Sequence, residues 1–427
     1  MTPTEPAAIG TTVLELVQAG AFDQIRDMFP ANLRSLVAPE SLQGAWAAEV
    51  ARYGPVDTVG APVSEPAGSG GALVRVPVTF ARGQATVLLT VTDTGWVTGL
   101  QIAGADAAAP TQPWQPPGYA DPAAFHEQEV TVGSGPLAVG GTLALPETPG
   151  PHPAVVLLPG SGPLDRDETV GRNKPFKDLA WGLAARGVAV LRFDKVTQAH
   201  PEQVVHAADF TVDDEYLPHA VAALRLLREQ PTVDPSRVFV LGHSLGGSVA
   251  PRVATADPAV AGLIILAGGA QPLHWSAVRQ FRYLAAQDPA GPAASQPVID
   301  ALTRQARAVD DPGLSSATPA ADLPFGVPAG YWLDLRGYDP PALAATLGKP
   351  ILILQGGRDY QATVVDDLAR WQAALADRPD VTVHVYDADN HFFFAGHGPS
   401  TAAEYEAAQH MDPAVVTDIA TWLAQPA

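Results

Sequence analysis

The sequence predicts an α/β fold with a mostly parallel sheet and a helical cap insertion, preceded by a small α+β domain. From about residue 126, short apolar runs alternate with helical patterns. The runs at residues 154–158 and 351–354 are apolar throughout, which is typical of strands buried on both faces of a parallel sheet. Residues 270–348 interrupt the alternation with few strand signals and contain a helical candidate at 277–287. We therefore interpret them as the cap insertion.

The α/β domain is expected to span residues 126–427. Its candidate strands lie near residues 127–132, 139–145, 154–159, 187–193, 238–241, 262–267, 350–355 and 381–386. Its candidate helices lie near residues 175–186, 213–229, 244–255, 363–376 and 413–424. Strands that alternate with helices in this way indicate βαβ units and a parallel sheet.

Residues 1–105 are expected to form the separate α+β domain. Helical patterns come first and two alternating strands follow, with apolar residues Val74, Val76, Val78 and Phe80 in one and Val87, Leu89 and Val91 in the other. The segment contains no histidine and only scattered carboxylates, so it offers no catalytic constellation. Residues 106–125 are rich in proline and alanine and predict a stiff linker.

Composition narrows the classes of function. The chain has 427 residues, a formal net charge of −20 and no cysteine. The absence of cysteine excludes thiol catalysis, thiolate metal sites and disulfides, and the negative charge argues against nucleic acid or an anionic membrane as a partner. No spacing of His, Asp and Glu suggests a metal site, and no cofactor is expected. We see no signal peptide and no apolar run long enough to cross a membrane, and therefore expect a cytoplasmic location.

The motif Gly242-His243-Ser244-Leu245-Gly246 stands between an apolar strand and a helical pattern. This context matches the nucleophile elbow of an α/β-hydrolase, with Ser244 as the nucleophile. A serine on a sharp strand-to-helix turn leaves room only for glycine two positions away on either side. A turn that merely needs small residues is the alternative.

A serine nucleophile requires a base that is held by a carboxylate, and this fold places them in the order serine, acid, histidine. Asp359 directly follows the strand at 350–355, and His391 follows the strand at 381–386. We therefore predict Asp359 as the acid and His391 as the base. A turn or helix-capping role is the alternative for Asp359. His243 is interpreted as the variable position of the elbow.

Acyl transfer also needs N–H donors for the developing oxyanion. The backbone N–H of Leu245 is one candidate, and that of Ser161 or, second, Gly162 is the other, because their loop follows an early buried strand. A phosphate-binding loop is the alternative, but the Gly-Lys-Ser/Thr motif is missing. Arg166 with its acidic neighbours predicts either an ion-pair hub that supports this loop or a solvated charged loop. Asp194 and Lys195 are expected to pair with each other.

Five segments of the catalytic domain resemble a known family: residues 159–167, 173–180, 192–195, 242–252 and 356–361. Together they look like a group of bacterial serine esterases that is similar to the serine aminopeptidase-like branch of the α/β-hydrolases. Members often carry a small N-terminal domain similar to the nuclear transport factor cone fold, and residues 8–105 look like it. The resemblance implies ester hydrolysis, with Ser244, Asp359 and His391 at the triad positions. One departure is Pro159, where relatives of this wider fold often have histidine.

These observations predict a serine carboxylesterase that acts on a small-molecule ester. Tyr331 and Trp332 are the candidates for an apolar acyl pocket. The first alternative is a serine aminopeptidase or acyl-peptide hydrolase, which would need a carboxylate such as Asp334 to anchor a substrate amine. The second alternative is a non-catalytic binding protein with a hydrolase fold. The N-terminal domain is expected either to pack over the cap or to mediate a homodimer.

Overall fold

The computed structural model divides the chain into two compact units, Met1–Gln112 and Pro113–Ala427. It describes the structure of residues 5–34, 39–66, 71–104, 114–204, 207, 209–287 and 292–425. Residues 106–113 of the predicted linker lie outside the described residues.

In its described residues, the N-terminal unit combines four helices with an antiparallel sheet of five strands. The helices are α1 (Pro6–Gln18), α2 (Phe22–Asp27), α3 (Ala31–Arg34) and α4 (Pro39–Tyr53). The strands are β1 (Val56–Val59), β2 (Val63–Pro66), β3 (Ala72–Phe80), β4 (Gly83–Val91) and β5 (Val97–Gly104). The spatial order is β1-β3-β4-β5, and β2 also pairs with β3. The expected α+β character is therefore confirmed.

The alternating residues of β3 and β4 explain how this sheet packs. Successive side chains of a strand point to opposite faces, so residues two apart share one face. Val74, Val76 and Val78 are buried, and they join Val13 and Leu14 of α1 in one apolar cluster. Burial of this face is what holds the helices of the unit on its sheet.

The C-terminal unit contains an eight-stranded sheet with the order β13-β12-β11-β10-β8-β9-β7-β6. Its strands are β6 (Phe125–Val132), β7 (Val139–Pro146), β8 (His152–Leu158), β9 (Ala189–Phe193), β10 (Val233–His243), β11 (Leu263–Leu266), β12 (Ile351–Gly356) and β13 (Val381–Tyr386). β7 is antiparallel to β6 and β9. The other pairings are parallel. The predicted mostly parallel sheet is confirmed.

Helices cover both faces of this sheet. In chain order, the helices of the unit are α5 (Pro175–Ala184), α6 (Val196–Ala199), α7 (Pro201–Val204), α8 (Val212–Arg228), α9 (Leu245–Ala256), α10 (Leu273–Gln287), α11 (Pro292–Asp310), α12 (Ala329–Arg336), α13 (Pro340–Thr346), α14 (Ala369–Ala374) and α15 (Pro413–Ala424). Helices α8 and α9 pack on one face. Helices α5 and α15 pack on the other. Burial from both sides explains why the central strands β8, β11 and β12 are mainly apolar rather than alternating.

The segment between β11 and β12 is helical and contains α10, α11, α12 and α13. It coincides with the insertion expected at residues 270–348, and the helical candidate at 277–287 lies within α10. We call this segment the insertion. Across the described ranges, the structure has no helix that is long and apolar enough to span a membrane.

The described part of the predicted linker, residues 114–125, packs on the C-terminal unit. The indole Nε1 of Trp114 donates to Asp178 Oδ1 at 2.8 Å. Its ring lies 4.9 Å from that of Trp181, measured between centroids. Both partners belong to α5, so this stretch is held by side-chain contacts.

The sheet order brings the predicted site loops together. β8, β10, β12 and β13 are parallel members of the same sheet, so their carboxyl ends lie along one edge. The oxyanion loop follows β8, Ser244 follows β10, Asp359 follows β12, and His391 follows β13. The fold therefore places all four loops at one edge of the sheet.

Candidate active site

Ser244 occupies a strained turn between β10 and α9. Its backbone has φ 54° and ψ −120°, a region that non-glycine residues seldom adopt. A Cβ atom on Gly242 would lie 2.1 Å from the carbonyl oxygen of Gly246, and one on Gly246 would lie 2.2 Å from that of Leu158. Both positions therefore require glycine, and the turn presents the serine at the sheet edge.

Asp359 and His391 form a buried hydrogen-bonded pair. The Asp359 Oδ2 atom lies 2.7 Å from His391 Nδ1 and accepts from Gln355 Nε2 at 3.2 Å. Its Oδ1 atom accepts from the backbone N–H groups of Gln361 at 2.7 Å and Ala362 at 3.1 Å. These donors fix the carboxylate, which can then hold the His391 ring in one tautomer and leave Nε2 as the basic atom.

The nucleophile and this pair lie on adjoining loops. Among the described residues, no hydrogen bond joins the Ser244 hydroxyl to His391. Such bonds are often long before substrate binds and tighten in the complex. The loop of His391 is nevertheless tied to the elbow, because His243 Nε2 lies 3.0 Å from the His391 carbonyl oxygen.

The loop that follows β8 lies against the elbow. A Cβ atom on Gly160 would lie 3.2 Å from Ser244 Cβ, so the loop backbone reaches the nucleophile only because residue 160 is glycine. Ser161 and Gly162 are exposed in this loop. Leu245 is the first residue of α9, and the first N–H groups of a helix have no intrahelical acceptor. The predicted oxyanion donors therefore belong to the two segments that flank Ser244.

His243 has a role that the sequence interpretation missed. Its Nδ1 lies 2.9 Å from Glu168 Oε1, and its Nε2 faces the His391 carbonyl. Both partners are acceptors, so the two contacts favour the doubly protonated ring, in which both nitrogens donate. Burial alone would lower the pKa of His243, but the negative charge of Glu168 and these hydrogen bonds raise it above its ordinary value.

Glu168 also accepts from the backbone N–H of Gly160 at 2.7 Å. The Glu168–His243 pair thus joins three loops: that of Gly160, the elbow and that of His391. The His243 partners are 75 and 148 residues away in the chain. No local sequence signal could have revealed them.

A small cavity of about 50 Å³ borders Ser244. Its lining residues come from the elbow, the insertion and the Asp359 loop: Ser244, Leu245, Ser248, Gly269, Gln271, Pro272, Leu273, Ser276, Gln280, Leu335, Tyr338, Pro340, Gln361 and Ala362. The structure does not place Tyr331 and Trp332, the predicted acyl-pocket residues, in this lining. The Tyr331 hydroxyl donates to Glu215 Oε2 at 2.8 Å, and Trp332 is buried in the apolar cluster of the insertion. In their place, Leu335 and Tyr338 face the cavity from the insertion.

Two basic residues near the site, Arg166 and Lys195, are each paired with carboxylates. Arg166 binds Asp194 at 2.8 Å and Glu129 at 2.5 Å, so it forms an ion-pair hub, but not with its acidic neighbours as predicted. Asp167 pairs instead with Lys174 and Arg192, and Asp165 accepts from Thr169. The predicted pairing of Asp194 with Lys195 is corrected, because the Lys195 Nζ atom lies 3.0 Å from Glu215 Oε1.

Asp334, the candidate anchor for a substrate amine, is bound by Arg252. The Arg252 Nη1 atom lies 2.8 and 2.9 Å from its two carboxylate oxygens. The Arg252 guanidinium also lies 3.9 Å from the centre of the Tyr338 ring. The carboxylate of Asp334 is thus neutralised within the protein.

The groups gathered at this edge are those of covalent acyl transfer: a hydroxyl on a strained turn, an imidazole–carboxylate pair and backbone N–H groups. Within the described ranges, no group of three or more His, Asp or Glu side chains is arranged to hold a metal ion.

Comparisons with known proteins agree with this fold. Residues 155–409 match the model of the alpha/beta hydrolase family. The chain is 37% identical to esterase EstD of Thermotoga maritima over 344 residues, which is 81% of this chain and 77% of the relative. It is 29% identical to the 2,6-dihydropseudooxynicotine hydrolase of Paenarthrobacter nicotinovorans over 36% of this chain and 37% of that protein. Among solved structures, the acylaminoacyl peptidase of Pyrococcus horikoshii aligns with a TM-score of 0.45 and 15% identity, over 79% of this chain and 52% of that one. The family match and the extent of the similarity to the Thermotoga esterase show that this chain belongs to the alpha/beta hydrolase family.

Proposed function

We propose that this protein is a serine carboxylesterase that works through an acyl-enzyme on Ser244. The observation that carries the proposal is the buried 2.7 Å contact between His391 Nδ1 and Asp359 Oδ2, on loops at the same sheet edge as the strained Ser244. A base held by a carboxylate beside a serine elbow is the arrangement that activates a hydroxyl.

The mechanism has two halves. In the first, His391 Nε2 accepts the Ser244 proton while Oγ attacks the ester carbonyl carbon, and the N–H groups of Leu245 and Ser161 stabilise the oxyanion. The tetrahedral intermediate collapses, the ester C–O bond breaks, and the leaving alcohol takes the proton from His391. In the second half, water gives a proton to His391 and attacks the acyl group, which releases the carboxylic acid and regenerates Ser244.

Two observations favour esters over peptides. A relative that is 37% identical over 81% of this chain is named as an esterase. A peptidase that recognises a free amine needs an unpaired anionic anchor, and Asp334 is already bound by Arg252. The amino group of a peptide substrate would have to displace Arg252 from Asp334, and it would then be repelled by the positive charge of Arg252.

The cavity at Ser244 favours short acyl groups. A volume of about 50 Å³ admits roughly four water-sized groups. We therefore expect a short acyl chain to be held in this space and a dodecanoyl chain to exceed it.

Hydrolysis of p-nitrophenyl esters from acetyl to dodecanoyl tests the proposal, with Ser244→Ala as the paired variant. We expect an optimum among the short chains and loss of turnover in the variant. Faster cleavage of an aminoacyl p-nitroanilide than of a matched ester would favour the aminopeptidase. Equal measurable activity of wild type and variant would contradict a serine mechanism, whereas no activity of the wild type on any ester or anilide would leave the non-catalytic alternative.

A further inference from the structure

We propose that Lys195 and Tyr216 are positioning residues for the oxyanion hole, because they fix the peptide that joins Gly160 to Ser161. This inference rests on the proposed function and concerns how its transition state is stabilised. Neither residue is part of the triad or of the oxyanion donors.

The carbonyl oxygen of Gly160 is contacted by the side chains of Lys195 and Tyr216. Lys195 Nζ donates to it at 2.9 Å, and the Tyr216 hydroxyl lies 2.8 Å from the same atom and 2.9 Å from the Pro159 carbonyl oxygen. Lys195 and Tyr216 also contact each other, with Nζ 2.9 Å from the hydroxyl oxygen. Both side chains are 1% exposed, so water does not compete for these bonds.

Peptide geometry gives this contact its consequence. The carbonyl of Gly160 and the N–H of Ser161 belong to one planar trans peptide, so they point in opposite directions. While the carbonyl is held toward Lys195, the Ser161 N–H is directed away from it. Among the described residues, this N–H makes no hydrogen bond, so it is free to donate to a substrate.

Without these donors the peptide could rotate. Gly160 has no Cβ, so its backbone has little intrinsic barrier to other conformations. A rotated peptide would present an acceptor in place of the donor and would repel the oxyanion instead of stabilising it. The other side of Gly160 is fixed separately, since its N–H donates to Glu168.

Burying the ion pair between Lys195 and Glu215 is unfavourable, because both charges lose their hydration. Burial lowers the pKa of Lys195, and the charge of Glu215 opposes this effect. A buried ion pair usually contributes no more stability than apolar residues of similar size. A structural role alone therefore gives little reason for a lysine at this position, whereas a donor aimed at the Gly160 carbonyl does.

Glu215 extends the contact to the insertion. Its Oε1 atom is 3.0 Å from Lys195 Nζ, and its Oε2 atom accepts from the Tyr331 hydroxyl of α12 at 2.8 Å. Tyr331, which the sequence suggested for substrate binding, is thus three contacts away from the Gly160 carbonyl, through Glu215 and Lys195.

Two variants test this proposal. Tyr216→Phe removes the hydroxyl and keeps the ring. The double variant Lys195→Met with Glu215→Gln removes both charges together, so neither is left buried without its partner. Lys174→Met is the matched control, because Lys174 binds Asp167 at 2.8 Å in the same connecting segment but does not contact Gly160. Thermal unfolding monitors the fold of each variant.

The measurement is kcat and KM for p-nitrophenyl butyrate, together with the inhibition constant of a trifluoromethyl ketone, whose serine adduct carries an oxyanion. For the double variant we expect kcat to fall by about 10- to 100-fold, somewhat less than the loss of a whole oxyanion donor. For Tyr216→Phe we expect a fall of about 3- to 10-fold. KM should stay within about twofold, and the inhibition constant should rise in parallel with the loss of kcat/KM.

A fall in kcat of less than about threefold in both variants would overturn the proposal. So would a rise in KM with unchanged kcat, because that pattern reports ground-state binding. If the double variant does not fold, Tyr216→Phe decides. An inactive wild-type enzyme would contradict the proposed function itself, and the variants are therefore compared only against measured wild-type turnover.

Discussion

The two units bury their polar side chains very differently. Among the described residues of the N-terminal unit, the buried polar side chains are Arg75 and Thr86, within an otherwise apolar core. The C-terminal unit buries many more, and these include charged or titratable side chains beside the candidate site: Glu168, Lys195, Glu215, His243, Asp359, Asp389 and His391. Burying charge is unfavourable unless each group is paired. The N-terminal unit therefore has a core that favours stability. The C-terminal unit buries charged side chains at a cost in free energy, at the place where its candidate site needs them.

The largest expected effect is that of Ser244→Ala. The substitution removes the nucleophile, so turnover of the preferred p-nitrophenyl ester should fall by about 10³-fold or more. The midpoint of thermal unfolding should not decrease, since the change leaves no buried charge without its partner and opens no large cavity. Ser248→Ala is the control, because Ser248 also lines the cavity. Comparable losses in both variants would contradict the special role of Ser244.

Asp359→Asn should reduce kcat by about 10²- to 10⁴-fold, because an amide no longer stabilises the His391 imidazolium or selects its tautomer. Asp387→Asn provides a matched control on the neighbouring loop, since Asp387 is exposed. Steady-state kinetics of the two variants distinguish the effect of this one carboxylate on kcat from the effect of removing any negative charge near this edge of the sheet. Equal activity of the Asp359 variant and the control would exclude Asp359 as the acid.

A pair of leucine substitutions examines the division between the two units. Leu89 lies in the N-terminal core and Leu266 in the strand before the insertion, and both are fully buried. Each change to alanine should lower the free energy of unfolding of its own unit by about 2–5 kcal/mol, measured by chemical denaturation.

Only Leu266→Ala should also lower kcat, because the cavity that it leaves lets the local backbone shift, and the Leu266 carbonyl accepts from the Ser244 N–H at 2.9 Å. We expect Leu89→Ala to leave kcat within about twofold of wild type. A tenfold loss of kcat in Leu89→Ala would show that the N-terminal unit contributes to catalysis. It would contradict the division of stability and catalysis between the two units.

The smallest expected effect is a pH dependence of stability. Burial and, secondarily, the charge of Asp412 raise the pKa of Asp389 to about 7, although Arg358 opposes the shift. Because this folded-state pKa lies above the unfolded value of about 3.9, the contribution of Asp389 to stability is greatest at low pH. It declines as the pH rises from about 4 to 7 and then stays constant.

Asp389→Asn removes this dependence. The difference in thermal midpoint, variant minus wild type, should therefore become more positive between pH 5 and pH 8, by about 2 °C or more. Asp387→Asn again serves as the control and should show no such trend. A difference that stays constant between the two pH values would mean that Asp389 is already ionised in the folded protein at pH 5.

Sequence reasoning predicted the parts of the molecule that depend on local pattern and chain order. The buried strands β8 and β12 were predicted because their apolar runs are continuous, and the other strands of this sheet were predicted because they alternate with helical patterns. Asp359 and His391 were chosen from their positions after late strands. The short edge strands β1 and β2 were not predicted, because most of their residues are not buried and carry no apolar alternation.

Contacts between distant segments could not be predicted. The bonds of His243 to Glu168 and to the His391 carbonyl join residues that share no sequence pattern. The same holds for Tyr331, whose hydroxyl reaches Glu215 across 116 positions of the chain. Composition suggested an apolar pocket around Tyr331 and Trp332, but only the packing of α12 decides which of its side chains face Ser244.

The central claim is that Ser244 is an activated nucleophile, and covalent labelling tests it most directly. The full-length protein is treated with a fluorophosphonate, and its intact mass and proteolytic peptides are measured by mass spectrometry. The account predicts one adduct per chain, located on the peptide that contains Ser244, with loss of esterase activity in proportion to labelling. No adduct, or an adduct on a different residue that accounts for the lost activity, would contradict it.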